Sequence, residues 1–279
     1  MKVISSLRAA EYVSDWHPES PDRLLSSLGF VKDKGFEIIE PREAHEQDVM
    51  LVHDIDLIES VKANDYFEPD TPNIENIYEY ALLAAGAALE AQKLCSREFI
   101  FSLMRPPGHH ARRGFLGGFC YFNNIAIAVY RALQKYKKIA VIDIDNHHGD
   151  GSQDIFINNP KILYVSLHEH PFFPGTGLRS EANCLNYPLP AGTEEKTYIK
   201  TLEEALIHVK KFEPDLIAIS AGFDTHRDDP LGNMRLEVSS YQKIAELIKN
   251  LNKPTFAVLE GGYSTSLPQC IYSFLKGFS

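Results

Sequence analysis

The sequence predicts an α/β fold: one domain over residues 1–279, built on a mostly parallel, doubly wound sheet flanked by helices. Three observations predict it. Short apolar runs recur without polar alternation, as strands buried on both faces require. Helix-period stripes lie between them, which is the pattern of a parallel sheet with crossover helices. Each run ends in a polar cluster, where open parallel sheets gather ligand sites, beyond the carboxyl ends of the strands.

In chain order, residues 74–94 form the first helix. Ile74, Ile77, Tyr78, Ala81, Ala85, Ala88 and Leu89 make its apolar stripe, and Glu75, Glu79, Glu90 and Lys93 fall largely outside it. FIFSLM (99–104) is a strand. Residues 124–136 are a helix with Asn123 or Asn124 as its N-cap, because a side-chain oxygen there accepts from an early helical N–H. IAVIDID (139–145) and ILYVSL (162–167) are strands. Residues 198–211 are a helix buried through Tyr198, Leu202, Ala205, Leu206 and Val209. LIAISAG (216–222) and TFAVLEGG (255–262) complete the strand set. The clusters that follow the five runs are RPPGHH, NHHGDG, HEHPFFPG, FDTHRDDP and YSTS. In a parallel sheet all five lie on one edge.

Composition narrows the class. Of 279 residues, 44% are hydrophobic and 24% charged, which excludes a disordered chain, a collagen-like chain and a disulfide-stapled mini-protein. The net charge of −10 argues against direct nucleic-acid binding, which calls for a basic face. Cys95, Cys120, Cys184 and Cys270 have no metal-site or redox spacing, so free thiols in a reducing cytoplasm are expected. Arg8 and Glu11 interrupt any signal-peptide core, and no uncharged apolar stretch is long enough to span a bilayer. Nothing in the sequence reports on homo-oligomerisation.

The strongest local signal is Asp143-Ile144-Asp145-Asn146-His147-His148-Gly149-Asp150-Gly151. On a strand, residues two apart share a face, so Asp143, Asp145 and His147 are expected to point the same way. A carboxylate and an imidazole there suit zinc or a similar divalent ion. Carboxylates inside an apolar run need a partner or a metal. Asp224, at the tip of LIAISAGFD, is the natural third ligand. Three protein ligands leave a position open for water, as catalytic sites do. His109 and His110 follow the first strand, and the spare carboxylates Asp143 and Asp150 allow two His–Asp pairs, which fix imidazole tautomers. Tyr263, after Gly261-Gly262, can donate to a developing oxyanion.

These residues closely resemble the histone deacetylase and acetylpolyamine amidohydrolase superfamily. The matching segments are HPESPDRL (17–24), RPPGHHA (105–111), GGFCYFNN (117–124), DIDNHHGDG (143–151), YVSLHEHPFFPGTG (164–177), SAGFDTHRDDPLG (220–232) and EGGY (260–263). The resemblance implies an arginase/deacetylase-like fold. It implies Asp145, His147 and Asp224 as the Zn2+ ligands, with Fe2+ as an alternative occupant. It implies His110 paired with Asp150 as general base, His109 paired with Asp143 as second histidine, and Tyr263 as the carbonyl-polarising group. Gly118, Phe119 and Phe173 are implied as walls of an acyl-lysine tunnel, and Asp70 as the rim aspartate. A structural K+ is implied beside Asp143, Asp145, His147, Ser166 and Leu167, with Phe156 at a second such site. Two positions depart from common patterns: Asn146 stands where relatives carry an apolar or aromatic residue, and Asp150 stands where many carry Asn. The chain is also short for the superfamily, so surface loops are expected to be trimmed.

The expected activity is hydrolysis of an N-acyl, chiefly N-acetyl, amide. Leu231 stands where polyamine-selective relatives carry an acid, which tilts the expected substrate toward acyl-lysine on a protein, with acetylpolyamine or another small acylated amine as the alternative. A non-catalytic acyl-lysine reader would lack a base, a ligand or the tyrosine. An arginase-like enzyme would want extra carboxylates for a second metal. The string His168-Glu169-His170 is not expected to hold one. His17 is expected to order a loop, and His45, His53, His208 and His226 to lie on the surface or in packing.

Overall fold

The structure is a computed structural model describing residues 1–279. The elements run β1 (Lys2–Ile4), α1 (Pro21–Asp33), β2 (Glu37–Ile39), α2 (Glu46–Val49), α3 (Ile55–Ala63), α4 (Ile77–Leu94), β3 (Ile100–Ser102), α5 (Asn124–Ala132) and β4 (Ile139–Asp143). They continue with α6 (Asp150–Phe156), β5 (Ile162–Glu169), β6 (Cys184–Leu189), α7 (Glu195–Phe212), β7 (Leu216–Ala221), α8 (Val238–Lys249), β8 (Thr255–Leu259) and α9 (Leu267–Phe278). The strands form one eight-stranded sheet in the order β2-β1-β3-β8-β7-β4-β5-β6. Every adjacent pair is parallel, so the expected parallel α/β sheet is the fold observed.

β3, β4, β5, β7 and β8 are buried at every residue, because helices cover both faces. One row of packed helices runs α1–α9–α8–α7, and the other runs α3–α4–α5–α6. The Val/Ile/Leu/Ala runs of these strands are the sequence's answer to that double burial. Three strands were not anticipated. β1 and β2 have three residues each, and β2 is half exposed at the edge. β6 alternates buried and part-exposed positions and carries Pro188, which an edge strand tolerates because the N–H that proline lacks is not needed by a further neighbour.

Boundaries moved for identifiable reasons. Ile74 precedes α4, whose first residue is Ile77. α5 starts after Asn123, whose side chain accepts from the N–H of Ala126, which decides between the two candidate caps. β4 ends at Asp143 rather than Asp145, because the Asp143 carboxylate itself accepts the N–H of Asp145 at 3.1 Å and bends the chain out of the ladder. The side chains of Asp143, Asp145 and His147 still converge, His109 lying against both Asp143 and Asp145 and His147 against Asp145, but not as one face of a continuous strand. Asp143 ends the strand, and the other two lie on the turn beyond it.

Candidate active site

The loops after β3, β4, β5, β7 and β8 all leave the same sheet edge and enclose a cavity of about 250 Å³. Asp145 and His147 come from the loop after β4, and Asp224 from the loop after β7. Their ligand atoms lie within 4.8 Å of one another. His147 Nδ1 is 3.1 Å from Asp145 Oδ1 and 2.9 Å from Asp224 Oδ2. Both carboxylates are fully buried. Backbone N–H groups hold them: Gly261 donates to Asp145 at 2.8 Å and Asn146 to Asp224 at 2.8 Å.

The donor set fits a divalent cation. Two buried carboxylates side by side repel, and no Lys or Arg pairs with either. Burial, and then the Asp145 charge, push the Asp224 carboxyl up to about 7. Burial opposes charge on His147, but its bonds to the two carboxylates prevail and lift it to about 10. Protons thus sit where a cation would neutralise the cluster. A Cβ on Gly261 would come within 2.2 Å of Asp224 Oδ2 and 2.7 Å of Asp145 Oδ2, so only glycine leaves the carboxylates their room.

Beside this cluster stand the two histidines, their rings 4.1 Å apart. His109 Nδ1 lies 3.0 Å from Asp143 Oδ2, which also accepts the Tyr164 hydroxyl at 2.9 Å. His110 Nδ1 lies 2.7 Å from Asp150 Oδ1. Each imidazole is thereby left with Nε2 for the cavity. Burial, then the charge of His109, hold His110 below the usual imidazole range, against the pull of Asp150. Burial works the same way on His109, but Asp145 and Asp143 overcome it and hold it well above that range. Neighbouring imidazoles with opposed proton affinities are the arrangement an acid–base pair needs.

The remaining expected residues divide cleanly. Asp70, Gly118, Phe119, Phe173, Leu231 and Tyr263 all line the cavity, joined by Phe172 and Pro230, which were not anticipated. Gly118 adopts φ +57°, and a Cβ there would lie 2.5 Å from the His110 ring, so glycine lets this wall touch the histidine. Asp70 Oδ1 accepts from the Gly118 N–H at 2.9 Å, tying rim to wall. Phe173 packs edge-on to His110 at 5.2 Å, and Phe172 lies over His147 at 5.4 Å. Ser166 pairs with Asp143 across β4 and β5, with Leu167 next to it in β5. Phe156 lies apart, at the end of α6, where its carbonyl accepts from Asn183. His168 is occupied by Ser166 and Gly177, and Glu169 by Asn233, so neither faces the Asp–His–Asp cluster.

Several supporting residues were overlooked. Glu260 is fully buried. Its Oε2 accepts the N–H groups of Gly108 and His109 at 2.7 and 3.1 Å, and its Oε1 accepts the Ser220 hydroxyl at 3.1 Å. A glutamate ending an apolar run carried the same signal that singled out Asp143 and Asp145. Arg112 donates to Asp150, and Asp229 accepts from the Tyr263 backbone. Their sequence neighbours gave no hint of those contacts.

Comparison with known proteins agrees with this geometry. A family model described as histone deacetylase domain matches residues 17–278. A protein named probable deacetylase from Archaeoglobus fulgidus is 37% identical over 278 residues, covering 90% of this chain and 77% of that protein. Histone deacetylase 15 of Arabidopsis thaliana is 36% identical, covering 89% of this chain and 50% of that protein. A crystal structure of an acetylpolyamine aminohydrolase from Burkholderia pseudomallei superposes with a TM-score of 0.93 at 28% identity, covering 100% of this chain and 98% of that one. A match that spans nearly every loop of the cavity leaves one conclusion: the chain belongs to the histone deacetylase family and is a deacetylase, a hydrolase of amide bonds.

Proposed function

We propose that the chain acts as one catalytic domain that removes an acetyl group from an acylated lysine side chain by metal-assisted attack of water. The observation that carries this reading is the convergence of the Asp145–His147–Asp224 cluster, two His–Asp pairs and Tyr263 on one narrow, aromatic-walled cavity. Asp145, His147 and Asp224 would hold the metal, zinc or ferrous iron. When bound, a divalent ion supplies a Lewis acid and lowers the pKa of water.

The chain's own groups do the rest. His110 takes the proton of the attacking water at Nε2, while Asp150 fixes its tautomer through Nδ1. The Tyr263 hydroxyl donates to the acyl oxygen as negative charge develops there. His109, held protonated by Asp143 and Asp145, adds positive charge beside the reacting carbon. His110 returns its proton to the leaving nitrogen. The C–N bond breaks, water adds across it, and acetate and a free amine leave. Phe119 and Phe173 flank the acyl stem, and Asp70 at the rim accepts a hydrogen bond from the substrate backbone. Potassium is assigned beside Asp143, Asp145, His147, Ser166 and Leu167, with a second ion near Phe156. Both are structural roles, resting on the family resemblance. Four buried free cysteines support a cytoplasmic setting, and no helix is long and apolar enough to cross a membrane.

Leu231 favours acyl-lysine, because an apolar wall offers nothing to a second ammonium group. Acetylated polyamines are the second reading. Likeness to the acetylpolyamine aminohydrolase and the rim carboxylate of Asp70 favour it. The test compares kcat/KM of the zinc-loaded protein on acetyl-lysine peptides, longer acyl-lysine peptides and acetylated polyamines, with a chelator control. Preference for acetyl-lysine supports the first reading. Preference for polyamines replaces it with the second, and no cleavage of any of them removes both.

A further inference from the structure

We propose that Asp229 is a positioning residue that fastens the Leu231 wall of the cavity to the backbone of Tyr263, so that one carboxylate seats the wall and aims the hydroxyl. Asp229 lies in the loop between β7 and α8 and is 5% exposed. Its Oδ2 accepts two consecutive N–H groups, Tyr263 at 2.6 Å and Ser264 at 3.0 Å. Its Oδ1 accepts the N–H of Leu231 at 3.0 Å. No Lys, Arg or His forms an ion pair with it, so backbone N–H groups alone satisfy this buried charge.

The far side of the same loop is pinned separately. Asn233 donates its N–H to Glu169 at 2.9 Å and its side-chain amide at 2.8 Å. Pro230 and Leu231, which wall the cavity, are therefore held at both ends. Tyr263 needs such an anchor. It follows Gly262 at φ +123°, whose carbonyl accepts the Arg23 Nε–H at 2.7 Å, and Asp229 holds the other side of that peptide, the Tyr263 N–H. Its ring rests on Phe119 and on the Arg23 guanidinium, contacts that permit sliding along the ring plane. The direction of the hydroxyl then depends on where the Tyr263 backbone sits, and small misplacements of a catalytic group are costly. A substrate that presses on Leu231 pulls on the carboxylate that holds Tyr263. Discrimination at this wall is expected to reach kcat as well as KM.

The inference rests on Tyr263 polarising the acyl oxygen, and the experiment separates the two. The zinc-loaded protein is assayed on an acetyl-lysine peptide as wild type, Asp229→Asn, Tyr263→Phe and the double variant. Asp229→Asn is expected to lower kcat about tenfold with KM within about twofold, and to cost less than about twofold when Tyr263 is already Phe. Equal losses in both backgrounds, or no loss of kcat, overturn the proposal. Hydrogen exchange supplies a reading without turnover. The Tyr263 and Ser264 amides should exchange slowly in wild type and faster in Asp229→Asn. Fast exchange in wild type overturns the proposal even if the variant fails to fold. A wild type that cleaves no acetyl-lysine peptide removes the substrate reading while exchange still judges Asp229.

Discussion

Arg112 lies over the carboxylate of Asp150, with Nε 2.8 Å and a terminal nitrogen 2.7 Å from Oδ2, the oxygen that His110 leaves free. The half-exposed guanidinium thus shares one carboxylate with a buried imidazole. Burial would raise Asp150, but the bonds from His110 and Arg112 hold it at about 2. Replacing Arg112 by Gln removes a positive charge from the pair, so His110 gains proton affinity. The acid limb of the rate–pH profile is expected to move to higher pH. Activity at pH 6 then falls more than at pH 8. An unchanged limb would show that Arg112 does not reach His110.

Removing the groups assigned to chemistry should be far more severe. His110→Ala is expected to cost roughly 10²–10⁴ in kcat, the usual worth of a general base. Tyr263→Phe should cost roughly 10²–10³, as loss of one oxyanion donor does. Steady-state rates on an acetyl-lysine peptide check both, and near-wild-type turnover by either variant would sink the scheme.

Metal affinity should depend on pH in a defined direction. With Asp224 at about 7 and His147 near 10 in the metal-free cluster, binding must displace protons. Zinc affinity is expected to weaken as pH falls through 7. Calorimetric titrations at pH 7 in buffers of different ionisation enthalpy should report proton release. Chelation should also lower the thermal midpoint, because two buried carboxylates lose their counter-charge. A pH-independent affinity would contradict this account.

His53 should make the fold acid-sensitive. Its Nδ1–H donates to the Arg112 carbonyl at 2.9 Å, and its Nε2 accepts the Asn123 N–H at 2.8 Å, so the folded protein requires the neutral ring. Burial lowers its pKa from 6.5 to about 4. The unfolded chain therefore binds the extra proton first. Stability is expected to fall as pH drops from 6.5 toward 4, by at most about 3 kcal/mol, and to lose nothing further from this group below 4. Urea midpoints of wild type and His53→Gln across that window check it. The variant should be less stable at pH 7 and should show the flatter profile.

What was legible in the sequence follows from burial. The central strands could be read because double coverage demands unbroken apolar runs, and Asp143, Asp145 and Asp224 stood out because such runs tolerate no idle charge. β1 and β2 were missed because three residues carry no period. The Asn123 cap was ambiguous because both asparagines can accept, and only geometry shows that Asn123 reaches Ala126. Glu260 was legible and was overlooked. Asp229 and Arg112 were not legible, since what they do depends on Tyr263 and Asp150, both distant in sequence. β4 ended early through a side-chain bond, Asp143 to Asp145, which no hydrophobic pattern records.

The sheet order has a consequence for synthesis. β3 pairs with β8, with Ile100 opposite Phe256, although four strands, β4 to β7, lie between them in the chain. β8 also separates the strand that precedes His109 and His110 from β7, β4 and the acidic cluster. In order of synthesis, His109, His110, Asp145 and His147 all precede β7, and Asp224 falls between β7 and β8. Such long-range pairing slows folding. It also means that the loop carrying His109 and His110 and the loops carrying the acidic cluster share one sheet only through β8.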